Sequence, residues 1–185
     1  MRGAATVGGR ERLRLFCALT LPEDVLDRLC RWQQAELVCD ARLVPREHLH
    51  LTLAFLGNRP AAELEAIAEA LRGAAAAVDG PLLLGPARYR ETRSVGMLVL
   101  ADDEGRATRL AADLHDRLER LGVYRREPRP WLPHVTAVRF RRPPRLRPEL
   151  PDLGRFSPSG AAVYHSLLRP TGAQYEILER VALGG

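Results

Sequence analysis

Two short stretches, 84 residues apart, repeat one pattern: His50-Leu51-Thr52-Leu53 and His134-Val135-Thr136-Ala137. Around the first, Leu49, Leu51, Leu53 and Phe55 alternate with His50, Thr52 and Ala54. Apolar residues at every second position mark a strand with one face in a core. The odd positions from Leu49 to Phe55 are therefore expected to be buried. His50 and Thr52 then stand together on the opposite face, about 7 Å apart along the strand. One His-x-Thr triplet is ordinary for the polar face of a strand. Two, each followed by further apolar residues, constrain the fold strongly: two separate strands must turn the same pair of side chains toward one cleft.

The remaining periodicities build a frame for these strands. Leu13, Leu15, Cys17 and Leu19 alternate with Arg14, Phe16 and Ala18, a first strand. Thr20-Leu21-Pro22-Glu23 has the spacing of a capping box, and a helix to about Glu36 carries Val25, Leu26, Leu29 and Trp32 on one face. Residues 41–44 form a short extended piece, and the His50 strand follows, closed by Gly57-Asn58. Pro60 opens a second helix with Leu64, Ile67, Ala68 and Leu71 as its stripe. Leu82 to Arg90 and Ser94 to Ala101 read as paired strands. Asp102 or Asp103 caps a third helix with Leu110, Leu114, Leu118 and Leu121 in register, stopped by Gly122. The second His strand comes next, then a Pro-rich loop over residues 143–159, then a strand pair from Ala161 to Leu168 and from Gln174 to Leu183. The order β-α-β-β-α-β-β-α-β-β-β, with its hairpins and long helices, predicts an α+β fold with antiparallel sheet and not a doubly wound parallel one. No stretch serves as a linker between independent domains. Residues 1–11 are expected to be a flexible terminus, and 12–185 a single bilobal domain.

The 28 basic residues are all arginine, and the formal net charge is +5. An anionic partner is consistent with this, although an Ala- and Arg-rich composition explains most of it, so only the placement of the arginines carries weight. Residues 125–147 hold eight arginines against one acid, Glu127, with the second His motif in their midst. Cys17, Cys30 and Cys39 lack metal-knuckle or disulfide spacing and read as reduced thiols. With no signal-peptide core and no apolar run long enough for a membrane span, a cytoplasmic protein is expected.

Two histidines on facing strands can work as base and acid around one phosphorus. In-line displacement needs them on opposite sides of it, which two strands supply and one strand does not. Each threonine hydroxyl, on the same face, can donate to a non-bridging oxygen. The scheme needs no metal. A metal pair at His48 and His50 is the rival, but it lacks obvious further ligands. His115, beside the stripe of the third helix, is expected to be solvated, and His165 is ambiguous. Arg139 lies five residues beyond His134, so a regular strand would turn it away from His134. A bulge or strand twist is needed to bring it to a phosphate.

The pair HLTL and HVTA resembles the two signatures of the two-histidine (2H) phosphoesterase superfamily. Arg14-Leu15-Phe16, Leu49 to Gly57, Pro133 to Thr136 with Arg139, Tyr164-His165-Ser166 and Gly172 through Tyr175 resemble its RNA 2′,3′-cyclic phosphodiesterase branch, also called 2′-5′ RNA ligase. Ala137, Trp131 and Gly96-Met97 depart from the branch's usual residues. The resemblance implies a bilobal fold of two antiparallel sheets facing a central cleft, with helices outside and a pseudo-two-fold relation. It implies His50 and His134 as the catalytic pair, with Thr52, Thr136 and Arg139 on the phosphate. Phe16, Tyr164 and Ser166 would lie at the nucleotide. The expected reaction is metal- and cofactor-free hydrolysis of a 2′,3′-cyclic phosphate to a 2′-phosphate, with weak reverse 2′-5′ joining. His134 would act as base and His50 as acid. The expected partner is an RNA end or a cyclic nucleotide, met by a monomer away from membranes. The alternatives are a 2′-5′ oligonucleotide or small-metabolite cyclic phosphate as substrate, and an RNA-end-binding module without catalysis.

Overall fold

The computed structural model describes residues 11–38 and 40–184. Nearly all of the expected flexible terminus, and Cys39, lie outside the described residues. Among the described residues, eight strands and three α-helices follow the expected order: β1 (Arg12–Thr20), α1 (Glu23–Glu36), β2 (Arg42–Leu43), β3 (Leu51–Pro60), α2 (Leu64–Ala76), β4 (Gly85–Glu91), β5 (Val95–Ala101), α3 (Arg106–Arg120), β6 (His134–Arg139), β7 (Gly160–Arg169) and β8 (Gly172–Val181). They form two four-stranded antiparallel sheets, β3-β1-β7-β8 and β2-β6-β5-β4. This is the α+β architecture the patterning demands. His50 immediately precedes β3, the edge strand of the first sheet, and His134 opens an inner strand of the second.

The helices cover the sheets. The apolar face of α1, with Leu29 and Trp32 buried, lies against the second sheet, where the Trp32 ring meets Tyr89 edge-on. α2 packs on α3 and on β7 and β8, and α3 also contacts β3. Buried residues of both sheets, from Leu15 and Leu51 to Leu98 and Val135, belong to one continuous apolar cluster. Each fully buried leucine contributes roughly 2 kcal/mol relative to exposure, so the two lobes share the main source of their stability.

Four local expectations change, each for a visible reason. Thr20 does not cap α1: it ends β1 opposite Gly160, and its hydroxyl is shared with Ser159 at 2.9 Å, leaving Pro22 at the cap. The His50 strand does not stop at Gly57-Asn58, because both residues pair with β1 and the strand runs to Pro60. Leu121 falls past the last turn of α3 and is exposed; Gly122 at φ +69° ends the helix, with Val123 N–H returning to Leu118 O. Phe55 is 49% exposed where strict alternation buries it. Asp102, one of the two expected caps, accepts from the backbone N–H groups of Ala107 and Thr108.

Phe55 turns outward because β3 is bulged. Its pairing with β1 slips one residue between Ala54 and Thr52, and again between Gly57 and Phe55. The first slip buries Leu53 and Ala54 in succession and returns Phe55 to the face of Thr52. β6 does the same. Gly96 pairs with Val138 and Met97 with Thr136, so Ala137 is the extra residue. Ala137 and Val138 are both buried, and Arg139 turns back out. The bulge that Arg139 requires is therefore present. Gly96 lies under the Tyr89 hydroxyl and Val138, where a β-carbon would collide with the hydroxyl and stand 2.6 Å from Val138 Cγ1; these two close approaches account for the glycine.

Candidate active site

His50, Thr52, His134, Thr136, Arg139, Phe16 and Ser166 line one cleft of about 370 Å³. It contains residues of both sheets, so the two His-x-Thr motifs meet across it. The two imidazoles are held alike. His50 Nδ1 donates to His48 O at 2.7 Å, and His134 Nδ1 donates to Leu132 O at 2.8 Å. A ring whose Nδ1–H is committed to a carbonyl presents Nε2 as its reactive nitrogen. His50 Nε2 accepts the Thr52 hydroxyl at 3.0 Å, a bond that a neutral ring permits.

The packing around His50 is dense. Its ring lies 5.0 Å from Phe16 and 5.6 Å from Tyr175, the latter edge-on. Burial is the main cause that pushes its pKa down to about 4, with the charges of His48, His134 and Arg139 adding to the effect. Burial thus favours the neutral form of His50. An anion in the cleft supplies the missing negative charge and raises that pKa. Binding of sulfate, whose charge is constant in this range, should therefore take up a proton between about pH 4 and the raised value, and affinity should fall as pH rises through that window. Calorimetry at a series of pH values upward from about 4, in buffers of different ionisation heat, measures the uptake. His50→Gln should abolish it, and uptake unchanged in that variant would refute the assignment to His50.

Not every expected site residue faces the cleft. Phe16 is only 3% exposed, and its ring is stacked on Tyr164 at 4.8 Å with 3° between planes. Tyr164 does not line the cleft and backs Phe16, which in turn supports His50. Besides the exposed Phe55, the aromatic lining of the cleft includes Tyr175 on β8, half-buried and beside His48 at 4.4 Å. Tyr175 stood out in the sequence only within a family-like stretch.

Arg14, like Tyr175, is marked in the sequence only as part of a family-like stretch, with no role assigned. It shares the parity of Phe16 on β1, lines the cleft, and stands 4.7 Å over the Phe55 ring, with its Nε buried and unpartnered. Parity alone could have revealed it. His115 is not solvated as expected: it is 6% exposed and donates from Nε2 to Leu53 O at 2.8 Å.

The bulges that shape the site are pinned from behind. Leu53, three residues past His50, is held at its carbonyl by His115 of α3. Ala137, three past His134, is held at its carbonyl by Gln33 of α1, whose Nε2 donates at 2.7 Å and also reaches Val44 O at 3.0 Å. Trp131 joins the lobes directly, its indole N–H donating to Thr52 O at 2.9 Å. Among the described residues no three His, Cys, Asp or Glu side chains converge as a metal site.

Paired imidazoles with hydroxyls and a guanidinium around one cleft suit a protein that moves protons about a phosphate ester. Residues 21–167 match the 2′-5′ RNA ligase superfamily. The chain is 35% identical over 184 residues to the RNA 2′,3′-cyclic phosphodiesterase of Thermus thermophilus, covering 94% of this chain and 91% of that one. It is 32% identical over 131 residues to the Escherichia coli protein of the same name, covering 70% and 73%. Among solved structures, the Thermus thermophilus protein TT0787 superposes with a TM-score of 0.77 at 31% identity, covering 92% of this chain and 98% of that one. E. coli LigT complexed with NADP+ superposes at 0.79 with 26% identity, covering 95% and 99%. The chain belongs to the 2′-5′ RNA ligase superfamily, the two-histidine phosphoesterases.

Proposed function

We propose that the protein hydrolyses 2′,3′-cyclic phosphates at RNA ends or on nucleotides to 2′-phosphates. The observation that carries this is the matched pair of Nε2 atoms turned into one cleft that also holds Thr52, Thr136 and Arg139. The names of the relatives support the substrate class.

The geometry also supports the division of labour expected from sequence. Tyr175, half-buried and 5.6 Å from His50, offers an aromatic surface on the His50 side, so a nucleoside stacked there directs its O3′ toward His50. In-line attack then brings water from the His134 side. His134 takes the proton of water as its oxygen bonds to phosphorus, the P–O3′ bond breaks, and His50 gives its proton to O3′. Thr52, Thr136 and Arg139 donate to the non-bridging oxygens as charge builds there. The proton that His50 must hold is taken up from solvent as the anionic substrate binds.

Incubation with a 2′,3′-cyclic mononucleotide in excess chelator, followed by phosphorus NMR, tests the reading. A 2′-phosphomonoester should be the product. Absence of turnover, a 3′-phosphate, or activity that only added zinc restores would overturn it.

A further inference from the structure

The cleft carries more positive charge than the proposed reaction uses. Arg14, Arg42 and Arg139 line it together with His48, His50 and His134, and no carboxylate is among its lining residues. Outside the cleft, by contrast, Arg46, Arg59, Arg72 and Arg126 are each held by an acid. Arg42 and Arg139 stand directly opposite each other on β2 and β6. Residues paired in this way share one face of the sheet, and like charges so placed repel. Both are exposed, and an anion between or beside them relieves the repulsion.

The position of Arg42 selects that anion. Its guanidinium donates to Thr171 O at 3.3 Å, a neutral partner in the turn between β7 and β8. It lies over Gly172, where a β-carbon would stand 2.8 Å from Nη2. Arg42 is thereby held at the start of β8, three residues ahead of Tyr175. His48 joins the two, its ring 4.4 Å from Tyr175 and its pKa lowered by burial, with the charges of Arg42 and Arg139 adding to the effect against Glu47. A cyclic phosphate is a monoanion, and Thr52, Thr136 and Arg139 take its oxygens. Arg42 is left over one strand away, about 4.8 Å, a step that the two phosphates of one nucleotide can span. Ribose carries O3′ and C5′ on opposite ends of the nucleoside. With O3′ at His50 and the nucleoside on Tyr175, C5′ turns away from His50, toward His48 and Gly172. Resting on the reaction proposed above, we infer that Arg42 and His48 form a second anion subsite for the phosphate on O5′ of the terminal nucleotide. The preferred substrate is then phosphorylated on both sides of its ribose, and a nucleoside cyclic phosphate with a free 5′-hydroxyl is a poor one.

Binding tests the subsite without turnover. Calorimetry on the full chain compares adenosine 2′-phosphate with adenosine 2′,5′-bisphosphate. The bisphosphate should bind tenfold more tightly or better. Arg42→Gln should bring the two affinities within threefold. Arg14→Gln removes the same charge from the cleft beside Phe55 and should keep the tenfold difference. Turnover is then compared for adenosine 2′,3′-cyclic phosphate, its 5′-phosphorylated form, and a dinucleotide ending in the cyclic phosphate. An Arg42-dependent gain in kcat/KM of similar size should appear with the 5′-phosphorylated form if a monoester is taken, and with the dinucleotide if a chain phosphodiester is. Equal wild-type affinities for the two adenosine phosphates, or no gain on either larger substrate, would overturn the inference. So would a difference that both variants reduce alike, the mark of a diffuse field in the cleft. Arg42-dependent selectivity for the bisphosphate in a protein that turns over none of the three substrates would support the subsite and strike the hydrolysis reading.

Discussion

Alanine in place of His134 should lower kcat for cyclic phosphate hydrolysis by about 10²–10⁴, the usual worth of one positioned acid or base. His50→Ala should do the same, and the double variant should lose far less than the product of the two, because the pair acts as a unit. The His134 side chain is half-buried and makes one bond to a carbonyl, so its removal should leave the circular dichroism spectrum intact. KM should change much less than kcat, since the protons move only in the transition state. A well-folded variant of either histidine with wild-type kcat would refute two-histidine catalysis. Binding of RNA ends that survives both substitutions, in a chain with no turnover at all, would support a recognition module instead.

The second large effect is expected far from any substrate atom. Gln33 is 3% exposed and holds the Ala137 and Val44 carbonyls. Gln33→Met keeps similar volume and removes both bonds. Loss of a buried partner costs about 1–3 kcal/mol, so Tm should fall. The more telling outcome concerns Arg139. Without its pin the extra residue in β6 is no longer favoured, and a regular strand turns Arg139 away from the phosphate. A charge-assisted bond is worth about 1.5–3 kcal/mol, and about 1.4 kcal/mol corresponds to a tenfold change. KM and the dissociation constant of inorganic phosphate should therefore rise tenfold or more, with kcat affected less. A variant that is only less stable, with unchanged phosphate affinity, would reduce Gln33 to a packing role.

Much of this was legible in the residues. The period-2 runs and the 3.6-period stripes gave the element order, and the His-x-Thr pairs gave four of the cleft residues by parity alone. Arg139 was legible as a problem: its odd spacing required a bulge, and the register slip between Gly96 and Met97 supplies one. The matching bulge in β3 left no such mark, because Phe55 is apolar and fits the buried alternation as well as the exposed one. His115 and Gln33 were not legible either. Both are polar residues whose partners are backbone carbonyls distant in sequence, at Leu53 and Ala137. Periodicity describes a helix face and is silent on the strand it meets. Tyr175 and Tyr164 differ only in which side of the first sheet's cleft face remains open, a matter of tertiary packing.

The two kinked strands deliver unlike side chains to matching positions, Phe55 on one wall and Arg139 on the other, each five places past its histidine. His50 immediately precedes its strand, and Thr52, His134 and Thr136 come from the regular part of theirs, ahead of the kink. The residue beyond it can therefore diverge between the halves without disturbing the pair that does the chemistry. A scaffold that repeats itself acquires in this way a front and a back, and so a preferred direction in which a ligand can lie.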